Sequence, residues 1–389
     1  MKRRIISILA VCCMMVAMMP AAFAAGTTMD ETAFRAAVAQ GGTVTMTGDV
    51  TLTSPLTITK GVTIDGTSNK YSINSNVAND AALIVNTTED VELVDLVLNA
   101  TETNGRGINL TSSSPQLYLT GVTMNVNARG ISFVQDGDAT GAYIELYQTD
   151  ILNSRVTGNY AEDTAVGDLR GISLFDTKDC DIILEDSSIK GFGYCFNLTG
   201  TKDANNTVPF NGTKIDVINS EIYGWTAFNV WSAETIFNIT DSHLRGINPS
   251  YGAWDSFATI VVNDNIYNPN DPFHADKCEF YINNTLIDNF IPAEKLEQQI
   301  EEGMVTVEFL FRIDSQGVTV ANMDTVTFKD NTDVLPCAFI AGNGNYTQSF
   351  YNYIMGNMVP TGGDKFEWTT VPTSTYSDGQ TALPLVIVE

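Results

Sequence analysis

The sequence predicts an all-β protein, a single-stranded right-handed parallel β-helix (solenoid) with a short N-terminal capping helix and a C-terminal capping region. Three observations lead there. A ten-residue phrase recurs seven times, its copies lie at irregular intervals, and almost nothing between residues 43 and 291 has the period of a helix. The phrase reads apolar, x, apolar, x, x, usually Ser or Thr, x, apolar, x, usually Gly or Asn. Its copies begin at Val91, Leu117, Ile144, Ile182, Ile215, Phe237 and Phe280, so successive starts are 26, 27, 38, 33, 22 and 43 residues apart. Hairpins need short turns in fixed register, which such spacing denies them. Coils tolerate it: each rung stacks about 4.8 Å from the one before, and surplus residues leave as side loops.

Taken in order, residues 1–24 read as a signal peptide: Lys2, Arg3 and Arg4, an apolar run from Ile5 to Met19, and the cleavage site Ala22-Phe23-Ala24. Removing it takes the net charge from −26 to −29 and predicts a secreted protein, extracellular or at the cell surface. No later apolar run has the length of a membrane span. Thr28-Met29-Asp30-Glu31 reads as a capping box opening a helix, with Phe34, Ala37 and Val38 on one face and Gly41-Gly42 as its stop. Period-two coils then fill the rest of 25–291. Between the phrases runs a second short strand: Gly107-Ile108-Asn109-Leu110, Gly130-Ile131-Ser132-Phe133 and Gly171-Ile172-Ser173-Leu174, continued by Cys195-Phe196-Asn197-Leu198 and Ala227-Phe228-Asn229-Val230. The two long mid-chain intervals put 153–168 and 199–213 outside the minimal coil. Beyond these, 292–302 reads as a helix and 305–313 as a strand, so 292–389 is expected to be late coils and a cap, or a small β domain.

One stretch carries a family likeness. Thr43-Val44-Thr45-Met46-Thr47-Gly48-Asp49-Val50-Thr51-Leu52, continued through Leu56-Thr57-Ile58-Thr59-Lys60-Gly61-Val62-Thr63-Ile64-Asp65-Gly66, resembles the opening coils of secreted bacterial right-handed β-helix proteins of the pectate-lyase-like superfamily. The resemblance covers about residues 28–291 and implies that the helix around Phe34 and Val38 plugs the open end of the core. It is specific for fold and not for activity. The Gly-His-Gly and Asp-Asp patterns of polygalacturonases and the Arg-x-Pro-x-x-Arg of the main pectate lyases are missing here.

Charge and composition narrow the function. With 20 Lys plus Arg against 46 Asp plus Glu, nucleic acid and anionic membranes are poor partners. Only two His are present, which excludes a His-rich metal centre, and no Ser nucleophile elbow or phosphate-cradling Gly loop occurs. No cofactor is called for; calcium is compatible with Asp136-Gly137-Asp138 and with 263–271, neither of which has the EF-hand order. Cys180 and Cys278 stand two residues before the phrase, an inward position, and are expected to be buried.

The candidate site is a column. If the Gly-Ile strands are in register, Arg106, Arg129 and Arg170 share one position on three consecutive rungs, followed by Tyr194 and Thr226. Asn109, Ser132, Ser173, Asn197 and Asn229 are expected to face outward beside them, with Phe175 and Trp231 as stacking platforms two residues further on. Guanidinium groups beside amides and aromatic rings suit an acidic or sulfated glycan. The competing reading is a salt-bridge ladder, the arginines being neutralised by Asp136, Asp138, Asp168 or Asp176; Asp176 is also expected among the substrate-contacting residues, with Tyr194. The expected function is therefore a monomeric secreted or cell-surface protein binding an extracellular polysaccharide or host glycan, or acting in adhesion. A polysaccharide lyase or glycoside hydrolase acting on an acidic polysaccharide is the alternative.

Overall fold

The computed structural model describes residues 27–68, 70–133, 140–160, 166–175, 178–199, 212–247, 259–262 and 277–290, together with short strands within 309–388. Residues 1–24 and 292–302, expected to be a signal peptide and a helix, the 263–271 stretch and residues 200–211 of the expected 199–213 loop lie outside the described residues.

Strands pair three apart along the chain, or two apart where the long strands Val166–Phe175, Ser188–Thr199 and Glu221–Val230 each replace two short ones, and every pairing from Gly42 to Phe290 is parallel. One sheet runs Gly42–Thr45, Val62–Asp65, Asp90–Val94, Gln116–Thr120, Tyr143–Tyr147, Asp181–Glu185, Lys214–Ile218, Ile236–Thr240 and Glu279–Asn283, and continues to Thr319–Ala321 and Val386–Val388. The remaining parallel strands form the second sheet, and the late strands Phe309–Ile313, Thr327–Asp330 and Cys337–Ala341 extend it. A hairpin of Met358–Gly362 with Lys365–Trp368 is antiparallel. The result is a solenoid-like stack of parallel strands around one apolar core, in which Ile144, Ile182, Ile215 and Phe237 occupy equivalent inward positions and are fully buried.

Each position of the repeated phrase has a physical task. Its first and third residues point into the core. Its fifth sits at the corner between the two sheets in the left-handed region: Asp95, Gly121, Gln148, Asp186, Asn219, Asp241 and Asn284 have φ between 42° and 64°. Gly, Asn and Asp tolerate that conformation best, which is why six of the seven are of those types. The sixth position supplies a hydroxyl. The backbone N–H groups of Thr149, Ser187 and Ser220 donate to the side-chain oxygens of Ser187, Ser220 and Ser242 on the next rung, at 3.0, 3.1 and 3.1 Å. Those hydroxyls in turn donate to the carbonyls of Glu185, Ile218 and Thr240. Buried corner amides that would otherwise be orphaned are thereby satisfied from rung to rung.

The helix spans Glu31–Gln40 and buries Phe34 and Val38 against the first coils. Its N-cap is Asp30, which accepts from Ala33 N, rather than the Thr28 of the expected capping box. Glu31 instead reaches across to the backbone and hydroxyl of Thr53, so it ties the helix to the coil below. Gly41, at φ 79°, closes the helix. The end of the first expected loop, 153–168, also moves, because the strand Val166–Phe175 begins within it, with Val166 in register with Phe192.

Candidate functional site

Arg106, Arg129 and Arg170 are in register on three successive rungs, and Tyr194 and Thr226 follow at the same position. The column starts where each coil bends from one strand into the next. Its bend is fixed by the glycine after each arginine, for a Cβ at Gly130 would lie 2.6 Å from the Gly171 carbonyl oxygen and 2.5 Å from Ile151 Cγ2. The three arginines and Tyr194 are half-buried, whereas Thr226 is fully buried and presents nothing to a ligand. The Arg170 guanidinium lies over the Tyr194 ring, 5.9 Å from its centroid, a contact that holds the ring beside the column.

Other expected members are placed differently. Trp231 is half-buried one strand end away, its backbone N–H bonded to the Leu198 carbonyl. Phe175 is in register with Thr199, but its side chain lies outside the described residues, as do Asp176, Asp136, Asp138 and the side chain of Asp168.

The polar column beside the arginines does not face solvent as expected. Asn109, Ser132, Ser173, Asn197 and Asn229 are 5, 2, 2, 2 and 9% exposed. Two links join members of this buried polar column: Ser132 donates to Asn109 Oδ1 at 2.6 Å, and Asn229 Nδ2 donates to Asn197 Oδ1 at 2.7 Å, while Asn197 Nδ2 is buried without a partner. Period-two alternation gives the face of a residue but not what covers that face, so burial was hidden from the pattern. The seam braces the strands, and beside it the arginines and Tyr194 remain partly exposed.

Sequence reasoning missed two arrangements. Arg155 follows the strand Asp150–Asn153 and folds back over the two preceding corners, its Nε and Nη2 donating to Asn127 Oδ1 at 3.1 and 2.7 Å and Nη2 reaching Asn104 Oδ1 at 3.4 Å. Asn127 and Asn104 stand two residues before Arg129 and Arg106, but nothing in a loop without period links residues 28 and 51 positions apart.

The second is a charged cluster at the seventh and ninth phrase positions, and stacking the phrase copies would have revealed it. Lys190, Tyr223, Arg245 and Asp288 are in register on four rungs. Tyr223 lies between two cations, with Lys190 Nζ 4.9 Å and the Arg245 guanidinium 5.6 Å from its ring centroid. Its hydroxyl meets His243 Nδ1 at 2.7 Å, while His243 Nε2 is 3.0 Å from Asp288 Oδ1. Arg245 grips both oxygens of the fully buried Asp288, at 2.9 and 2.6 Å. Burial alone would raise the Asp288 pKa, but the hydrogen bonds from Arg245 and His243 outweigh it and hold the carboxyl below the usual range. Burial, then the neighbouring Glu221, pushes the Tyr223 hydroxyl well above an ordinary phenol. Lys190 pairs with Glu221, so the carboxylates of the cluster are matched by cations. Tyr223 and Asp288 are buried, 6% and 0% exposed, while Lys190, Glu221 and His243 keep part of their side chains at the surface, so the cluster binds rungs together with its deepest acid closed to solvent.

Among the described residues no group of three or more His, Cys, Asp or Glu side chains is placed to hold a metal ion. Cys195 is fully buried, and burial raises its thiol pKa far above the ordinary range, so it is an inert core group. No helix among the described residues is long and apolar enough to cross a membrane. No protein-family model and no curated protein matches this chain. Fold and site together define a solenoid-like parallel-β protein with an arginine column along its stacking axis.

Proposed function

We propose that the chain is a secreted right-handed parallel β-helix, akin to the pectate-lyase-like superfamily, that binds an acidic extracellular glycan along Arg106, Arg129 and Arg170. The observation that carries this reading is the register of the three arginines. One guanidinium recurs per rung, about every 4.8 Å, close to the rise of one sugar unit in an extended polysaccharide. A chain of anionic sugars laid along the stacking axis would meet one donor fork per unit, with Tyr194 at the end of the row. Net charge opposes such a ligand at long range, so affinity rests on short-range contacts and survives moderate salt. An enzymatic reading, lyase or hydrolase, draws less support, because Asp288, the deepest acid of the charged cluster, is fully buried and spent on Arg245 and His243.

The test is to measure binding of sulfated and carboxylated polysaccharides to the wild type and to Arg129→Ala. Loss of the middle charge-assisted contact is expected to weaken binding by about 1.5 to 3 kcal/mol while the melting midpoint stays nearly constant. Unfolding of the variant with unchanged binding at permissive temperature would make the column a structural salt-bridge ladder. Release of unsaturated sugars during the assay would instead favour the lyase.

A further inference from the structure

The chain carries 46 acidic against 20 basic residues. Arg35, Lys190, Lys214, Arg245 and Lys277 each have one within ion-pair distance. Among the described residues Arg106 and Arg155 do not, and neither do Lys60, Lys70 and Lys178; the two arginines differ from these lysines in carrying a fork of donors. Among the described residues no side-chain partner is found for Arg106, whose Nε is buried without a hydrogen bond. Arg155 is held only by neutral amide oxygens, those of Asn127 and Asn104, which engage Nε and Nη2 and leave the two Nη1 donors unspent. Those two asparagines are themselves fixed. The Asn104 N–H donates to Asn127 Oδ1 at 2.9 Å and Asn104 Nδ2 to Asn79 Oδ1 at 2.8 Å, so the guanidinium is braced and oriented rather than swinging in solvent.

Burying guanidinium surface beside acceptors that carry no charge costs stability that a carboxylate would offset. The arrangement gains its purpose if the missing anion comes from outside. Arg155, which follows the strand Asp150–Asn153, reaches back over the corner residues Asn127 and Asn104, which stand two residues before Arg129 and Arg106.

We infer that Arg106 and Arg155 form an oxyanion site at this corner, which takes a single carboxylate or sulfate substituent of a glycan and sets the register of the chain along the remaining arginines. The inference deepens the glycan reading above and rests on it. Fork-shaped donors match planar carboxylates and sulfate oxygens alike, so the two sources are distinguished by experiment.

Dissociation constants are measured at fixed ionic strength for dextran sulfate, polygalacturonate and uncharged dextran. The proteins are the wild type, Arg155→Gln, Arg106→Gln and their double variant, all well below the lowest melting midpoint. Each single variant is expected to lose about tenfold or more in affinity for one polyanion and to leave dextran unaffected. Because both arginines hold the same group, the double variant loses less than the product of the single losses. Which polyanion responds identifies the substituent. Arg155→Lys keeps the charge without the fork and is expected to recover part of the affinity, which a purely structural brace would not predict. If Arg155→Gln binds within twofold of wild type while Arg129→Ala is weakened, the corner site is wrong and the column stands. If losses multiply in the double variant, the two arginines act separately and the shared site is overturned. If the wild type binds neither polyanion, the glycan reading itself fails.

Discussion

At the scale of single residues, the glycines after the arginines matter as much as the arginines. Gly130 has no room for a side chain, since its would-be Cβ falls 2.6 Å from the Gly171 carbonyl oxygen, backbone that cannot swing aside. Gly130→Ala is therefore expected to destabilise by roughly 1 to 3 kcal/mol through forced separation of adjacent rungs. A thermal melt checks this, and an unchanged midpoint would show that the bend is more compliant than the contacts imply. The column position also differs from rung to rung: Cys195 and Ala227 occupy the places corresponding to Gly107, Gly130 and Gly171, and there the position bears Tyr194 and Thr226 in place of Arg. The arginine column ends where the glycine column ends.

At the scale of the element, the repeated phrase is a corner with its hydrogen bonds built in. Two strands meet at one left-handed residue, and the hydroxyl that follows caps the amide of the rung before. Ser187 is the middle of this ladder, accepting from Thr149 N and donating to the Glu185 carbonyl at 2.7 Å. Ser187→Ala leaves the buried Thr149 N–H without its acceptor, and the expected cost is about 1 to 3 kcal/mol. Chemical denaturation reads this directly, and Ser187→Thr is expected to restore most of the loss because Thr149 and Thr285 fill the same position. The phrase begins with Leu96 and Val122 at its sixth position, so the first two copies do without the hydroxyl.

At the scale of the whole molecule, rungs are also fastened on the outside. The cluster from Lys190 to Asp288 spans four of them, and its deepest member is a carboxylate whose folded-state pKa lies below its ordinary value. Such a group stabilises the fold above its unfolded pKa of about 3.9, and the contribution is lost as pH falls through the lower folded value. Asp288→Asn removes it at every pH and strands Arg245, at a cost of roughly 3 to 5 kcal/mol near neutrality. The melting midpoints of wild type and variant are thus expected to differ by a constant amount above about pH 5 and to converge in acid. A gap that persists at pH 2 would show that the carboxyl stabilises by packing and not by charge.

Much of this protein was determined by the sequence alone. Period-two apolar positions, left-handed corner residues and a Ser or Thr after each corner are local demands of the backbone, and local demands leave a local trace. The register of Arg106, Arg129 and Arg170 followed from the second short strand, because aligning its Gly-Ile copies aligns the arginine that precedes each of them. Asp30 as the helix cap shows where local reading slips by a residue or two, when two capping side chains compete within one turn. Only the tertiary structure decided what covers each face and what reaches across rungs. Asn109 and Ser132 alternate like solvent-facing residues yet lie in a buried seam, and Arg155 finds Asn127 and Asn104 across gaps that have no period. Alternation specifies direction; burial and ion pairing depend on what other segments, distant in the chain, bring to that side of the sheet.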